Sequence, residues 1–181
     1  QEQCHSYFGH KQPMLIDFYW QLFCDIKLKR PPLIKIEPEV ANDKIYQWME
    51  KTWMLQQLPI TLFLFLLGGV SWVIWGVFIR VSVSIFGHWL IGYHAHNEGH
   101  RDWHVDGACV QGHNVRFAAI LTMGESYHNN HHAFPGSANL ALCEGQIDIG
   151  WIVLKLLSRI GLVWNIVLPH NLPERVELKR I

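Results

Sequence analysis

The sequence has no surplus of either charge: 15 Lys and Arg stand against 15 Asp and Glu in 181 residues. That argues against a nucleic-acid partner, because phosphate binding needs a basic excess. Charged residues are scarce at 17%, and half the chain is hydrophobic, which excludes intrinsic disorder. Cys4, Cys24, Cys109 and Cys143 form no CxxC pair, so they fit reduced thiols better than a disulfide framework. HExxH, GxSxG and P-loop patterns are missing, which sets aside zincins, serine hydrolases and Walker-type nucleotide binders. There is no internal repeat and no low-complexity run. The chain begins Gln-Glu-Gln-Cys, without an initiator Met or a signal peptide, as expected of a piece of a longer protein. The length fits about one domain.

What the chain has in excess is apolar length, tryptophan and histidine. No charged residue occurs from Thr52 to Ile79, long enough for a membrane span. Leu67-Gly68-Gly69-Val70-Ser71 places a turn signal inside it. Two readings compete: one span over about Pro59–Ile79, or a hairpin with arms 53–67 and 72–96. Charge placement favours the hairpin. Every Lys and Arg except Arg80 lies before residue 52 or after residue 100, so both ends belong on the cytoplasmic side. Length agrees, since 72–96 at about 1.5 Å per residue crosses a tilted span. The hairpin puts Arg80 within the membrane, where an Arg faces the protein interior and has a partner. Trp53, Trp72 and Trp75 read as interface anchors.

Around this core, Asp17–Cys24 reads as a short amphipathic helix or an aromatic interfacial stretch, broken by Lys27–Pro32. Asn42 and Asp43 are caps for a helix from about Lys44. A further helix is predicted near Val115–Tyr127. Asp148–Trp164 is apolar but carries Lys155 and Arg159 four apart, the pattern of an interfacial amphipathic helix.

Twelve histidines need a reason, and metal binding or proton chemistry are the usual ones. The strongest group is His128-Asn129-Asn130-His131-His132. On a helix, His128, His131 and His132 share an arc of about 100°, with Glu125 beside it. Such a cluster can hold one or two metal ions with a carboxylate behind them. Imidazole suits Zn, Cu, Ni and Fe, so ligand type alone does not choose the metal. In His94-Ala95-His96-Asn97-Glu98-Gly99-His100, His96 and His100 are four apart and share a helix face, while His94 points elsewhere. His88 reads as a buried, satisfied side chain, and His104 and His113 as structural loop residues. His5, His10 and His170 carry weaker signals.

The box His128-Asn-Asn-His-His, followed by Ala-Phe-Pro and preceded by Gly124-Glu125-Ser-Tyr, resembles the third histidine box of membrane fatty-acyl desaturases of the stearoyl-CoA desaturase type. The upstream hairpin is similar to that family's last membrane hairpin. His100 is similar to the additional iron-ligand His of that segment. The family has an Asn four residues earlier that holds a metal-bound water. Here His96 takes that spacing, open to direct ligation or to replacing the water's partner, and Asn97 is the nearest Asn. Cys4-His5-Ser6 resembles the segment after the second box. The first box (HxxxxH) and the second (HxxHH) have no counterpart in this chain.

The resemblance implies the C-terminal part of a single desaturase domain. Its fold would be all-α: an integral membrane helical hairpin, a cytoplasmic helical histidine-box region and an interfacial amphipathic helix. The expected boundaries are 1–43 for a cytoplasmic segment, 44–100 for the hairpin, 101–147 for the histidine-box segment, 148–168 for the amphipathic helix and 169–181 for a polar tail. The implied activity is O2-dependent introduction of a cis double bond into a fatty acyl chain, such as an acyl-CoA, by an oxidoreductase with two non-haem irons. Removing hydrogen from an unactivated methylene needs an oxidant that no side chain supplies. His96, His100, His128, His131 and His132 are the implied metal ligands, with Glu125, Asn129 and Asn97 behind them. The implied partners are a ferredoxin- or cytochrome-type electron donor and the lipid bilayer, with the boxes on the cytoplasmic side. Without the other two boxes the isolated piece is expected to be inactive.

A di-iron lipid hydroxylase would use the same ligand type. A membrane metal transporter or metal-binding module would want its ligands at the bilayer midplane, whereas these gather at a boundary. A haem-binding electron carrier would need facing histidines at membrane depth, where only His88 and His94 are available.

Overall fold

The computed structural model describes residues 13–25, 36–108 and 110–181. Cys4-His5-Ser6, His10, the Lys27–Pro32 break and Cys109 lie outside the described residues. In chain order the elements are α1 (Met14–Phe23), α2 (Pro38–Ala41), α3 (Lys44–Thr52), α4 (Gln57–Val73), a π-helical stretch (Ile74–Ile79), α5 (Arg80–Asn97), β1 (Trp103–Val105), α6 (His128–Ala133), α7 (Ile149–Arg159) and β2 (Leu178–Arg180), with single 3-10 turns at Arg116–Ala118 and Pro169–Asn171. The chain divides into two compact units, residues 26–88 and residues 1–25 with 89–181.

In the unit of residues 26–88, α3 starts where its cap predicts. The Asp43 carboxylate accepts from the backbone N–H of Ile45 at 2.7 Å and of Tyr46 at 3.3 Å, satisfying two otherwise orphaned donors. Among the described residues, Gln57–Asn97 is the one helical stretch long and apolar enough to cross a membrane. Its backbone is not regular throughout. Gly68 (φ −148°, ψ 15°) and Gly69 (φ 64°, ψ −156°) leave helical geometry, and the Gly69 conformation is open essentially to glycine alone. Leu64 lies against Gly76, where a Cβ would meet its Cδ1 at 2.5 Å. Arg80 Nη2 donates to Gln57 Oε1 at 3.0 Å, and its Nε donates to the Gly76 carbonyl at 2.8 Å. Arg80 therefore has a side-chain partner 23 positions earlier in the chain. His88, read from sequence as buried, is exposed on α5.

The second unit is organised by buried amides more than by hydrocarbon. Its apolar clusters are small: Ala95, Val115 and Ala118 in one, Ala119, Tyr127 and Leu140 in the other. Asn114, Ser126, Asn129 and Asn130 are at most 2% exposed. α1, anticipated as a short helix, is tied to α5 by a hydrogen bond from Trp89 Nε1 to the buried Asp17 carboxylate at 2.6 Å and by the Phe18 ring 4.9 Å from the Trp89 ring.

The fold is mostly helical, with three departures from the sequence expectation. First, the tail does not only wrap the surface: β2 pairs antiparallel with β1, matching Trp103 to Arg180, His104 to Lys179 and Val105 to Leu178. Second, 115–127 is not a helix beyond Arg116–Ala118. Met123 (φ 54°) and Gly124 (φ 97°) take left-handed backbone. These two residues turn the chain out of helical geometry, and the Asp148 carboxylate packs against Gly124 where a Cβ would strike it. Third, α7 is shorter than 148–168. Asp148 caps it by accepting from Trp151 N–H at 2.8 Å, and left-handed Gly161 (φ 76°) follows its end.

Candidate metal centre

The site lies within the second unit, where the C-terminal turn of α5 meets α6. α6 has only six residues, too few to be stable alone. Its N-terminal donors are satisfied from a distance: Asn114 Oδ1 accepts from the N–H of Asn129 at 3.0 Å and of Asn130 at 3.3 Å. Asn114 Nδ2 in turn donates to Asp102 Oδ2 at 2.9 Å and to Asn130 Oδ1 at 3.0 Å. Asn129 accepts from the N–H of Asp102 and Trp103 and donates to the carbonyls of Trp103 and Gly112. Asn130 donates to the Leu140 carbonyl and to Gln146 Oε1. The two asparagines between the histidines thus face inward as anchors, and the histidines take the other side.

On that side His128 and His132, four apart, present their rings to His96 of α5. His128 Nε2 is 3.0 Å from His96 Nε2 and 3.1 Å from His132 Nε2. One ligand atom from each of His96, His128 and His132 lies within 4.8 Å of the others. His128 Nε2 shares this space with two other ring nitrogens, a spacing that matches adjacent ligands on one metal: nitrogens at about 2.1 Å from an ion are about 3.0–3.4 Å apart.

Electrostatics favours the ligating protonation state. Burial, then the neighbouring His96, His132, His131 and His113, pushes the His128 imidazole down to about 3. Burial, then His96, His131, Arg175 and His113, pushes His132 down to about 4. Both are neutral near pH 7, the form that binds a metal. The donor set therefore fits iron or another imidazole-binding cation.

The other sequence-derived residues are placed differently. His131 is on α6 with its ring 5.6 Å from His128, and it lines a separate cavity of about 310 Å³ with Glu125, Met123 and Trp151. Glu125 is exposed and precedes α6, so the helical wheel that set it beside the histidines does not apply. His100 is not on the His96 helix face, because α5 ends at Asn97. Its side chain is 58% exposed, with Nε2 3.1 Å from Asp102 Oδ1. Asn97 donates to the Tyr93 carbonyl at 2.7 Å. His94 faces Glu98, away from the cluster.

Sequence reasoning missed Asn114, Arg175 and His113. His113 donates its backbone N–H to the Ala95 carbonyl at 2.7 Å and lies close enough to influence His128 and His132. None has a spacing relation to the box. Asn114 reaches it through β-bridges to His100 and Tyr127, which no local periodicity announces.

Comparison with known proteins places the chain in a family. The family model for fatty acid desaturase matches residues 5–142. The sn-2 palmitoyl-lipid 9-desaturase of Nostoc sp. (strain 36) is 31% identical over 156 residues, covering 83% of this chain and 54% of its own length. The sn-1 stearoyl-lipid 9-desaturase of Anabaena variabilis is 35% identical over 130 residues, covering 72% of this chain and 47% of its own. The acyl-CoA C20 Delta5-desaturase of Anemone leveillei is 32% identical over 137 residues, covering 76% and 43%. The chain thus spans about half the length of the curated relatives it matches, and no solved structure matches it. With a match over most of its length and an imidazole cluster built on its HNNHH helix, the chain belongs to the fatty acid desaturase family.

Proposed function

We propose that this chain carries the C-terminal part of an O2-dependent desaturase that introduces a cis double bond into a fatty acyl chain. The observation that carries the reading is the convergence of His96, His128 and His132. These three would hold iron. His131, on the same helix, would serve the centre together with ligands from the portion of the family fold that bears the first two boxes. His100, Glu125, Asn129 and Asn97 remain candidates for supporting roles, of which Asn129 has the clearest: it anchors the helix. Iron, when bound, supplies the oxidising power to take hydrogen from an unactivated methylene. The protein's own residues keep the imidazoles neutral, fix their direction and limit water around them. The substrate class is a fatty acyl chain, supported by relatives whose names specify lipid-linked and CoA-linked acyl groups. A ferredoxin- or cytochrome-type donor would provide electrons.

We further propose that residues 53–96 form a membrane hairpin with both ends on the cytoplasmic side. An unbroken helix would separate Gln57 from Arg80 by about 35 Å, yet their side chains hydrogen-bond at 3.0 Å. The non-helical Gly68–Gly69 pair supplies the reversal. The Lys and Arg distribution supports the orientation.

The test is iron content of the full-length protein with His128→Ala and His131→Ala variants. Both variants are expected to lose iron, and unchanged iron in both refutes the reading.

A further inference from the structure

α6 is held at both ends by side chains from other parts of the chain. Asn114 holds the first turn, as described above. At the last turn, Arg175 Nη1 donates to the carbonyls of His132 and Ala133, both at 2.9 Å, and Arg175 Nε donates to Glu177 Oε1 at 2.8 Å. These carbonyls are among the helix-end acceptors left without an intrahelical donor. A guanidinium there also complements the partial negative charge of the helix end.

Arg175 is itself fixed. Leu178 N–H returns to the Arg175 carbonyl at 3.1 Å, Asp106 N–H donates to the Glu177 carbonyl at 2.8 Å, and Ile181 N–H donates to the Asp102 carbonyl at 3.0 Å. β2 then pairs with β1, and β1 is bonded to α6 through Asn129. The tail thus closes a ring of hydrogen bonds around the histidine helix, and Arg175 is where that ring touches a residue of the imidazole cluster. Arg175 lies beyond the family match at 5–142 and 43 positions after His132.

We propose that Arg175 is a positioning residue for the metal centre: by closing the C-terminal end of α6 it sets the direction in which His132 presents its imidazole to His128 and His96. The proposal rests on the reading of this cluster as a metal site. A six-residue helix without a C-terminal partner frays from that end, and His132 sits in the final turn. Arg175 touches no metal and acts only through the backbone of His132 and Ala133. Its Nη1 serves both carbonyls while its Nε stays bonded to Glu177, a divided, planar arrangement that the single nitrogen of a lysine ammonium reproduces less well.

The experiment is a Co2+ titration of the metal-free, full-length protein in detergent micelles, read by visible absorption, for wild type, Arg175→Ala, Arg175→Lys, Glu177→Gln and His128→Ala. Arg175→Ala is expected to bind at least tenfold more weakly, in the range for loss of a group that orients a ligand, with displaced absorption bands. Arg175→Lys should recover part of both. Glu177→Gln, which keeps the Oε1 acceptor for Arg175 Nε, should stay closer to wild type than Arg175→Ala, with less than the roughly tenfold loss of an orienting group. Wild-type affinity and bands in Arg175→Ala, even with a lower melting temperature, overturn the proposal. If that variant does not accumulate, Arg175→Gln is read on the same terms. His128→Ala separates the two levels of inference. If it binds Co2+ like wild type, the metal-site reading fails. If it loses binding while Arg175→Ala does not, only the positioning role fails.

Discussion

The Asn114 carboxamide oxygen accepts from the backbone N–H of Asn129 at 3.0 Å, so a residue 15 positions upstream provides the cap that α6 lacks locally. Four hydrogen bonds depend on this one side chain, and it is 2% exposed. Asn114→Ala leaves buried donors and acceptors unpaired and should cost about 2–4 kcal/mol. Asn114→Asp keeps the acceptor but loses both donors and sets a carboxylate against Asp102, so it should be no better. Denaturant unfolding of the full-length protein in detergent measures both, and a loss under about 1 kcal/mol for Asn114→Ala contradicts the assignment.

His96 and His100 are separated by the end of α5. The structure gathers His96 with His128 and His132 and leaves His100 beside Asp102. His96→Ala should therefore lower the iron content of the full-length protein by about half or more, since a deleted ligand costs more than an orienting group's 10–100-fold in affinity. His100→Ala should retain most of the metal. Metal analysis after chelator washing decides the matter, and the reverse ranking would return the ligand role to His100.

These cases mark how far the sequence could be read. The HNNHH box was legible because its flanks and spacing are local. So were the Asp43 cap and the turn signal at Gly68–Gly69, each set by short-range backbone chemistry, whereas the cap that Asp148 provides for α7 was not read. The partner of Arg80 was not legible, because Gln57 lies 23 positions earlier, on the far side of the Gly68–Gly69 break. Residues 115–127 look helical by composition, but Met123 and Gly124 take left-handed backbone, with Gly124 packed against the Asp148 carboxylate, a contact that exists only in the folded unit. Glu125 and His100 were grouped by helical spacing across stretches that are not helical. Arg175 lies in a tail whose polarity gave no hint of the helix end it closes.

A pH dependence follows from the neutral histidines. His128 is lowered to about 3 and His132 to about 4, while both sit near 6.5 in an unfolded chain. Below pH 6.5 the unfolded state takes up protons that the folded state refuses. Their contribution to stability is thus complete above about 6.5 and declines as pH falls, through about 4 for His132 and about 3 for His128. In metal-free protein, the stability of wild type relative to a His128→Gln/His132→Gln variant should fall between pH 7 and pH 5. A difference that stays flat or grows over that interval shows that these rings are not kept neutral by the fold.

Gly68 and Gly69 break the helical backbone where the sequence carries its turn signal. Gly69 at φ 64° and ψ −156° occupies backbone space that a Cβ makes costly, by about 1–3 kcal/mol, and no neighbour lies within 4 Å to complicate the reading. Gly69→Ala should destabilise the protein by that amount through backbone strain alone. Gly68 differs: its φ is −148°, so the backbone tolerates a side chain, but a Cβ there collides with the Trp72 ring. Gly68→Ala should be rescued in part by Trp72→Leu, which makes room, whereas Gly69→Ala should gain nothing from that change. Thermal unfolding of the four variants in detergent provides the comparison. Equal rescue of both glycine variants by Trp72→Leu would mean that strain at Gly69 is not what holds the turn.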